Sequence, residues 1–147
     1  MPLYNIDAAR TEDQKAEMKR LDEEGICLFC PDNIYKSNNP LEFETRYWMV
    51  KKNDYPYKGT KHHVLLIPKI HVATVSELPA EVLTEFLPVV SRCETLYKLG
   101  SYAIAMRSGD MRYNGGSIEH LHAHLFSADL DDPDFEPIRV KLSDKPR

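Results

Sequence analysis

The sequence predicts an α+β domain with a mostly antiparallel sheet, and three observations favour this class. Segments with strand patterns and segments with helical patterns follow each other without the strand–helix–strand rhythm of a parallel sheet. The chain has 147 residues, a length typical of one domain with one core. Charged residues make up 29% of the chain and aromatic residues 10%, which is unlike a disordered chain. We therefore expect residues 1–147 to form a single domain.

Two segments carry helix signals. A short, charged N-terminal helix is predicted from Thr11 to Glu24, because Thr11 can cap its first turn and Gly25 suits its end. Its few apolar residues predict a position on the surface. A longer helix begins near residues 76–80 and ends at Gly100. Its predicted core face consists of the apolar residues at helical spacing, which are Val82, Leu83, Phe86, Leu87, Val90, Cys93, Leu96 and Tyr97.

The remaining apolar segments have strand character. Residues 41–51 are rich in aromatic and β-branched side chains and predict a strand or hairpin. Residues 63–68 form a short apolar segment typical of a buried strand. Further strands are predicted at residues 102–106 and 118–126, and an edge strand at residues 138–142.

The charge balance excludes several classes of partner. The chain has 19 Lys and Arg against 23 Asp and Glu, whereas a nucleic-acid or anionic membrane surface needs a net cationic field. A small anionic ligand needs only a local pocket. No apolar segment approaches the ~20 residues of a membrane span, and the N-terminus lacks the pattern of a signal peptide. Three cysteines do not suggest a disulfide scaffold, so we expect a cytoplasmic protein that binds neither nucleic acid nor membrane.

Three histidines alternate along the predicted strand at residues 118–126, as His120, His122 and His124. Alternate side chains of a strand share one face, so we expect the three imidazoles to point the same way. At ~3.3 Å per residue, the first and last lie roughly 13 Å apart along the strand. One metal ion with bonds of ~2.1 Å cannot easily bind all three. The three histidines should therefore have different roles.

A glycine-rich segment, residues 109–117, precedes these histidines and predicts a loop. Glycine lets backbone N–H groups approach a ligand closely, and such loops bind phosphate. Neutral imidazole is a competent nucleophile near pH 7, so attack on phosphorus by a histidine is chemically reasonable. Neighbouring imidazoles could then protonate the leaving group. The alternative is a solvent-facing or metal-chelating strand without chemistry.

The pair Cys27-x-x-Cys30 leaves three possibilities open: a redox pair, half of a metal site, or two buried small residues. A thioredoxin-type pair opens a helix, and Pro31 with the polar loop after it does not fit that pattern. A zinc site needs two more ligands, which His71 and one histidine of the triplet could supply. Two thiolates and two imidazoles leave no open position, so such a site would be structural. Cys93 is expected in the core.

Taken together, these segments resemble the histidine triad (HIT) superfamily of nucleotide hydrolases and transferases. The features that carry the resemblance are, in chain order, Cys27-Leu-Phe-Cys30, then His63-Val-Leu-Leu-Ile-Pro68-Lys69-Ile-His71-Val72, the long helix, and Gly115-Gly116-Ser117-Ile118-x-His120-Leu-His122-Ala-His124-Leu125. The match covers residues 27–126. It implies a small antiparallel sheet flanked by a long helix and a short N-terminal helix, and a homodimer.

The resemblance also implies roles for individual residues. His122 is the implied nucleophile that takes up the nucleoside phosphate, and His120 and His124 are the other catalytic histidines. The residues implied to cradle the α-phosphate are Gly115, Gly116, Ser117 and His124. In the zinc-containing branch of the family, the ligands of a structural Zn²⁺ are Cys27, Cys30, His71 and His120. The family needs no organic cofactor, and no metal for catalysis.

Within the superfamily, Asn53-x-x-Pro56-Tyr57 and the Gly-Ser-Ile before the histidines resemble the diadenosine tetraphosphate phosphorylase branch. There the asparagine contacts the ribose, which makes Asn53 a candidate nucleotide-binding residue. Asn114 is another, because it lies near the place where many members have an asparagine. The implied substrate is a nucleotide or dinucleoside polyphosphate, split through a nucleotidyl-His122 intermediate with water or phosphate as the acceptor. Two alternatives stay open: a nucleotide-binding regulatory module with little or no catalysis, and a hydrolase with catalytic zinc on the histidine strand.

Overall fold

A computed structural model of the chain describes residues 2–144. Its first α-helix, α1, spans Glu12–Glu24 and begins at Thr11, whose side chain accepts a hydrogen bond from the backbone N–H of Gln14. It ends at Gly25, which adopts a left-handed conformation with φ of 68°. Both ends are as predicted. The helix lies on the surface and buries a narrow stripe of side chains, which are Gln14, Met18 and Leu21.

Within residues 2–144, five strands form one sheet. They are β1 (Leu41–Glu44), β2 (Trp48–Lys52), β3 (Thr60–Pro68), β4 (Ala103–Met106) and β5 (Ala123–Ala128). Their order across the sheet is β1-β2-β3-β5-β4, and every neighbouring pair is antiparallel. The predicted α+β class with an antiparallel sheet is thereby confirmed. Strand β3 is central, and its register places Leu65 opposite His124 of β5.

Two apolar clusters cover the two faces of this sheet. On one face, the long helix α2 (Ala80–Leu96) packs against β2, β3 and β5. On the other face, α1 and the cysteine-containing segment pack against the alternate residues of β2 and β3, as the alternation of side chains along a strand requires. The buried indole of Trp48 donates a hydrogen bond to the Val82 carbonyl at 2.9 Å, which ties α2 to the sheet. No helix among the described residues combines the length and the apolar character that crossing a bilayer requires.

The predicted core face of α2 is correct only in part. Val82, Val90 and Cys93 are buried, but Leu83, Leu87 and Leu96 are 43%, 70% and 50% exposed. The apolar stripe is wider than the line along which one helix can contact a flat sheet. Helical spacing identifies the apolar side of a helix, but not how much of that side meets the sheet.

The strand predicted at residues 118–126 is wrong over its first half, because β5 starts only at Ala123. The main chain before β5 pairs with other segments instead: the Glu119 N–H donates to the Leu3 carbonyl, and the Leu121 N–H donates to the Val72 carbonyl. His120 and His122 are therefore outside the strand, and the three imidazoles do not form one row.

Two further expectations are corrected. Residues 109–117 are not only a loop: they contain a one-turn helix, α3 (Met111–Asn114), capped by the Asp110 side chain. Residues 138–142 form no strand. Their main chain serves another purpose, since the Lys141 carbonyl accepts hydrogen bonds from the side chain of Arg107.

Candidate active site and metal centre

Four side chains from three separate segments meet beyond the end of β3. They are Cys27, Cys30, His71 and His120, and their ligand atoms all lie within 4.8 Å of one another. The Cys30 Sγ is 3.3 Å from the His71 Nδ1, and the Cys27 Sγ is 3.6 Å from the His120 Nδ1. In a tetrahedral zinc site with bonds of ~2.1–2.3 Å, the ligand atoms are about 3.5 Å apart. The distances in this cluster agree with such a site.

The outward contacts of the two histidines fix which nitrogen carries the proton. The His120 Nε2 donates to the Pro68 carbonyl at 2.7 Å, and the His71 Nε2 faces the Glu119 carboxylate at 3.1 Å. Each Nδ1 therefore presents a lone pair, and the two Nδ1 atoms are only 3.2 Å apart. Two lone pairs at that distance repel unless a cation lies between them. The donor set fits a metal ion.

The buried thiol of Cys27 agrees with this conclusion. Burial raises the pKa of Cys27 to about 12, because a thiolate is poorly solvated away from water. Without a cation this thiol stays protonated, whereas a bound metal stabilises the thiolate directly. The cysteines of the chain are free thiols, so both members of the pair can serve as ligands.

His122 lies beside the metal cluster with its ring in a defined orientation. Its Nδ1 is 2.8 Å from the carbonyl oxygen of His120, so Nδ1 carries the proton and Nε2 presents the lone pair. The ring of Phe29 packs edge-on against the imidazole at 5.0 Å between centroids. Burial lowers the pKa of His122 to about 4, which keeps the ring neutral near pH 7. A neutral imidazole with one free nitrogen is what a nucleophile requires.

His124 and His63 form a second pair of imidazoles next to His122. The His124 Nδ1 is 2.8 Å from the His63 Nε2, and the backbone N–H of Tyr57 donates to the His63 Nδ1 at 3.0 Å. The Asn53 amide nitrogen is 3.2 Å from the same His63 Nε2. Burial lowers the pKa of His63 to about 3 and holds the pKa of His124 well below its ordinary value. Both rings are therefore neutral.

Arg107 directly follows β4 and reaches the outer side of His124. Its Nη1 is 3.2 Å from the His124 Nε2 and also 3.2 Å from the Tyr57 hydroxyl. Its Nη2 donates to the Lys141 carbonyl at 2.6 Å. The sequence offers little signal for this placement, since a single arginine after a strand is usually a surface residue. Arg107 and the contact of His63 with His124 are features of the site that the sequence did not predict.

The glycine-rich segment is held in a fixed shape beside Arg107. Gly115 has φ of 75°, and a Cβ there would lie 2.7 Å from the Lys141 carbonyl oxygen, so only glycine fits. The Asn114 side chain spans the turn: its Oδ1 accepts from the Gly116 N–H at 2.8 Å, and its Nδ2 donates to the Ser108 carbonyl at 3.1 Å. Asn114 therefore holds the loop.

A cavity of about 390 Å³ joins these groups. Of the predicted catalytic and nucleotide-binding residues, those that line it are Asn53, Gly115, Ser117, His122 and His124. The others do not line it: His120, Asn114 and Gly116. Both ring nitrogens of His120 are engaged in the metal cluster and its surroundings. His120 therefore contacts the His122 ring through its carbonyl oxygen, whereas its own ring faces the metal cluster.

The geometry argues against a catalytic metal on the histidine triplet. The cluster of possible ligands found among the described residues takes only His120 from the triplet. His122 and His124 lie outside it, in contact with Phe29 and His63 respectively. The metal cluster and the cavity are thus neighbouring but separate sites.

Comparison with known proteins identifies the family of the chain. Residues 45–130 match the HIT domain family. The chain belongs to the HIT family. It is 31% identical over 104 residues to the adenosine 5'-monophosphoramidase HNT1 of Saccharomyces cerevisiae, a match that spans 69% of this chain and 62% of the yeast protein.

Solved structures of HIT proteins share the fold. A histidine triad nucleotide-binding protein from Candida albicans is 26% identical, with a TM-score of 0.59 over 70% of this chain and 76% of that one. A HIT family hydrolase from Clostridium thermocellum is 24% identical, with a TM-score of 0.59 over 74% of this chain and 95% of that one. The predicted family is therefore confirmed. Membership of the phosphorylase-like branch stays a prediction.

Proposed function

We propose that this HIT-family protein splits a phosphoanhydride or phosphoramidate bond of a nucleotide through a covalent intermediate on the Nε2 of His122. The observation that carries the proposal is the 2.8 Å contact between the His122 Nδ1 and the His120 carbonyl. It places the proton on Nδ1 and leaves the Nε2 lone pair for attack, on a residue that lines the cavity. The name of the yeast relative, a monophosphoramidase, supports this class of substrate.

The reaction has two displacement steps. The Nε2 lone pair of His122 forms a bond to phosphorus, while the bond from phosphorus to the leaving oxygen or nitrogen breaks. The leaving group departs with that electron pair and takes up a proton from solvent, because the nearby ring of His124, 4.8 Å from the ring of His122 between centroids, is neutral. Water or phosphate then forms a bond to phosphorus while the bond from phosphorus to the His122 Nε2 breaks. The electron pair returns to Nε2, an attacking water gives its proton to solvent, and neutral His122 is restored.

The nucleotide-binding roles are part of the same proposal. Gly115 and Ser117 line the cavity beside His122 and supply the backbone and side chain for the α-phosphate. Gly116, with Asn114 holding its N–H, keeps the loop in that shape. Asn53, which lines the cavity, binds the ribose.

We propose that the metal is Zn²⁺ and that its role is structural. Two thiolates and two imidazoles form a four-ligand set typical of zinc, with no position left for water or substrate. Bound zinc supplies a cross-link between residues 27–30 and the chain before β5. Such a site needs reduced cysteines, which suits the cytoplasm as the location of the protein.

The test of the function is the product of the reaction. The purified protein is incubated with adenosine 5'-monophosphoramidate, a dinucleoside triphosphate, a dinucleoside tetraphosphate and a nucleotide sugar, each with and without phosphate. We expect release of a nucleoside monophosphate in water. Release of a nucleoside diphosphate only when phosphate is present identifies phosphate as the acceptor. Nucleotide affinity by calorimetry without product from any substrate would instead favour the regulatory binding module.

We also propose that the protein is a homodimer. Leu83 and Leu87, about one turn apart, expose apolar surface on α2, and Ile104 of the edge strand β4 is 39% exposed. An exposed apolar helix face and a sheet edge are both surfaces that a second copy can cover.

Replacing Leu87 with glutamate should convert the dimer to a monomer, because it places a charge at the centre of that apolar surface. Light scattering measures the change in mass. The matched control is Ala16→Glu on the exposed side of α1, which adds the same charge and should leave the dimer intact. A monomeric unmodified protein, or an unchanged mass for the Leu87 variant, contradicts the proposal.

A further inference from the structure

The imidazole pair of His63 and His124 is surrounded by more hydrogen-bond donors than it can satisfy. Each neutral ring has one N–H and one lone pair, and the bond between the rings uses one of each. A single lone pair remains. Three groups that only donate face the pair: the Tyr57 backbone N–H, the Asn53 amide nitrogen and the Arg107 guanidinium. The pair is therefore short of acceptors in either arrangement of its protons.

The immobile donor decides where the remaining lone pair lies. The Tyr57 N–H belongs to the main chain, is 3.0 Å from the His63 Nδ1, and cannot turn away. Asn53 and Arg107 act through side chains that can turn. The lone pair is thus on the His63 Nδ1, the His63 Nε2–H donates to the His124 Nδ1, and the outer nitrogen of His124 carries a proton. That Nε2–H faces the Nη1 of Arg107 at 3.2 Å. An N–H of His124 and an N–H of Arg107 therefore converge, with no acceptor from residues 2–144 between them.

The charge around the His124 Nε2 and the Arg107 guanidinium favours the binding of an anion. The contacts of Arg107 are with neutral groups: the Lys141 carbonyl, the Tyr57 hydroxyl and His124. The guanidinium of Arg10 lies 4.5 Å from the centre of the Tyr57 ring. Five Lys and Arg residues line the cavity against three Asp and Glu, although the whole chain has a net charge of −4.

We propose that Arg107 adds a second donor beside the Nε2–H of His124, which the family resemblance already assigns to the α-phosphate. Both donors then bind a non-bridging oxygen of the phosphoryl group that His122 attacks. A phosphate oxygen accepts from both donors and removes the donor–donor contact between them. The guanidinium also offsets the negative charge that grows on the phosphoryl oxygens during attack. This assignment rests on the proposed function for the identity of the attacked group, whereas anion binding at Arg107 does not depend on turnover.

The first test separates phosphate binding from nucleoside binding. Calorimetry measures the affinity for adenosine and for AMP in the unmodified protein, in Arg107→Gln and in Arg107→Lys. We expect Arg107→Gln to weaken AMP binding at least tenfold and to leave adenosine binding within twofold. Arg107→Lys should recover only part of the loss, because an ammonium group replaces the charge but not the planar fork of donors. The matched control is Arg20→Gln on α1, whose side chain is exposed, and it should bind both ligands normally.

A second measurement needs no variant. Long-range ¹H–¹⁵N spectra of the unmodified protein should show His63 and His124 protonated at Nε2, and the His124 Nε2–H resonance should shift when AMP is added. AMP affinity within twofold of normal in Arg107→Gln, or His124 protonated at Nδ1 in these spectra, overturns the assignment. Weak AMP binding by the variant alongside an inactive unmodified protein would uphold the assignment and reject the proposed reaction. Normal turnover by the unmodified protein, together with unchanged AMP affinity in Arg107→Gln, would uphold the proposed reaction and reject the assignment.

Discussion

Replacing His122 with asparagine should lower kcat by at least about a thousandfold, the scale expected when a catalytic nucleophile is lost. The asparagine amide can still donate to the His120 carbonyl, the contact that His122 makes at 2.8 Å. The side chain therefore keeps its place, but no basic nitrogen remains to attack phosphorus. The measurements are single-turnover kinetics and intact-protein mass spectrometry after rapid quenching. The unmodified protein should carry a nucleotidyl adduct, and the variant should carry none.

His62→Asn is the matched control, since it is the same substitution on a histidine of β3 that packs against Tyr97 and does not line the cavity. It should keep normal turnover. The affinity of His122→Asn for AMP should stay within a few-fold of normal, which separates loss of chemistry from loss of binding. Undiminished turnover by His122→Asn, or an adduct on that variant, contradicts the covalent mechanism.

Removing the metal should destabilise the protein by at least about 3 kcal/mol, because a metal that binds only the folded chain adds its binding free energy to folding. For a chain of this size that is a fall in Tm of about 10 °C. Cys30→Ser removes one ligand of the cluster, and a strong chelator removes the ion from the unmodified protein. Thermal melts followed by circular dichroism measure stability, and elemental analysis measures bound metal.

The matched control is Cys93→Ser, because Cys93 is a buried residue of α2 and is not part of the cluster. That variant should lose some stability from its altered core and still bind one metal ion per chain. The chelated protein, assayed at a temperature where it stays folded, should keep turnover, since no step uses the metal. A full metal content in Cys30→Ser, or an unchanged Tm after the ion has been removed, contradicts a structural metal site.

The parts of the fold that the sequence predicts well are those set by local chemistry. The ends of α1 follow from Thr11 and Gly25, each of which acts within a few residues of itself. Strands β2 and β3 follow from runs of aromatic and β-branched residues that only a sheet buries well. The strand predicted from Ile118 fails because its partners are distant. The main chain there pairs with Leu3 and Val72, and no local pattern reports such contacts.

The candidate site also contains some features that local sequence predicts and others that depend on distant contacts. The metal cluster could be predicted because cysteine and histidine have a narrow chemistry, and their order along the chain resembles that of a known family. The pairing of His63 with His124 depends on the register of β3 against β5, which joins residues far apart in sequence. Arg107 could not be predicted from its residue type, because arginine serves many purposes. Its role emerges only from the three neighbours that its side chain contacts.

The excess of hydrogen-bond donors around His63 and His124 lowers the stability of the protein when no nucleotide is bound. With the proton arrangement inferred above and no anion between them, the N–H groups of His124 and Arg107 would face one another, a repulsion that the unfolded chain does not have. A bound nucleotide removes it, and at a concentration of 100 times its Kd any such ligand adds about 2.7 kcal/mol to the free energy of unfolding. Scarcity of nucleotide would then expose the protein to unfolding and degradation. The arrangement that prepares the pocket for phosphate thus limits the lifetime of the empty protein.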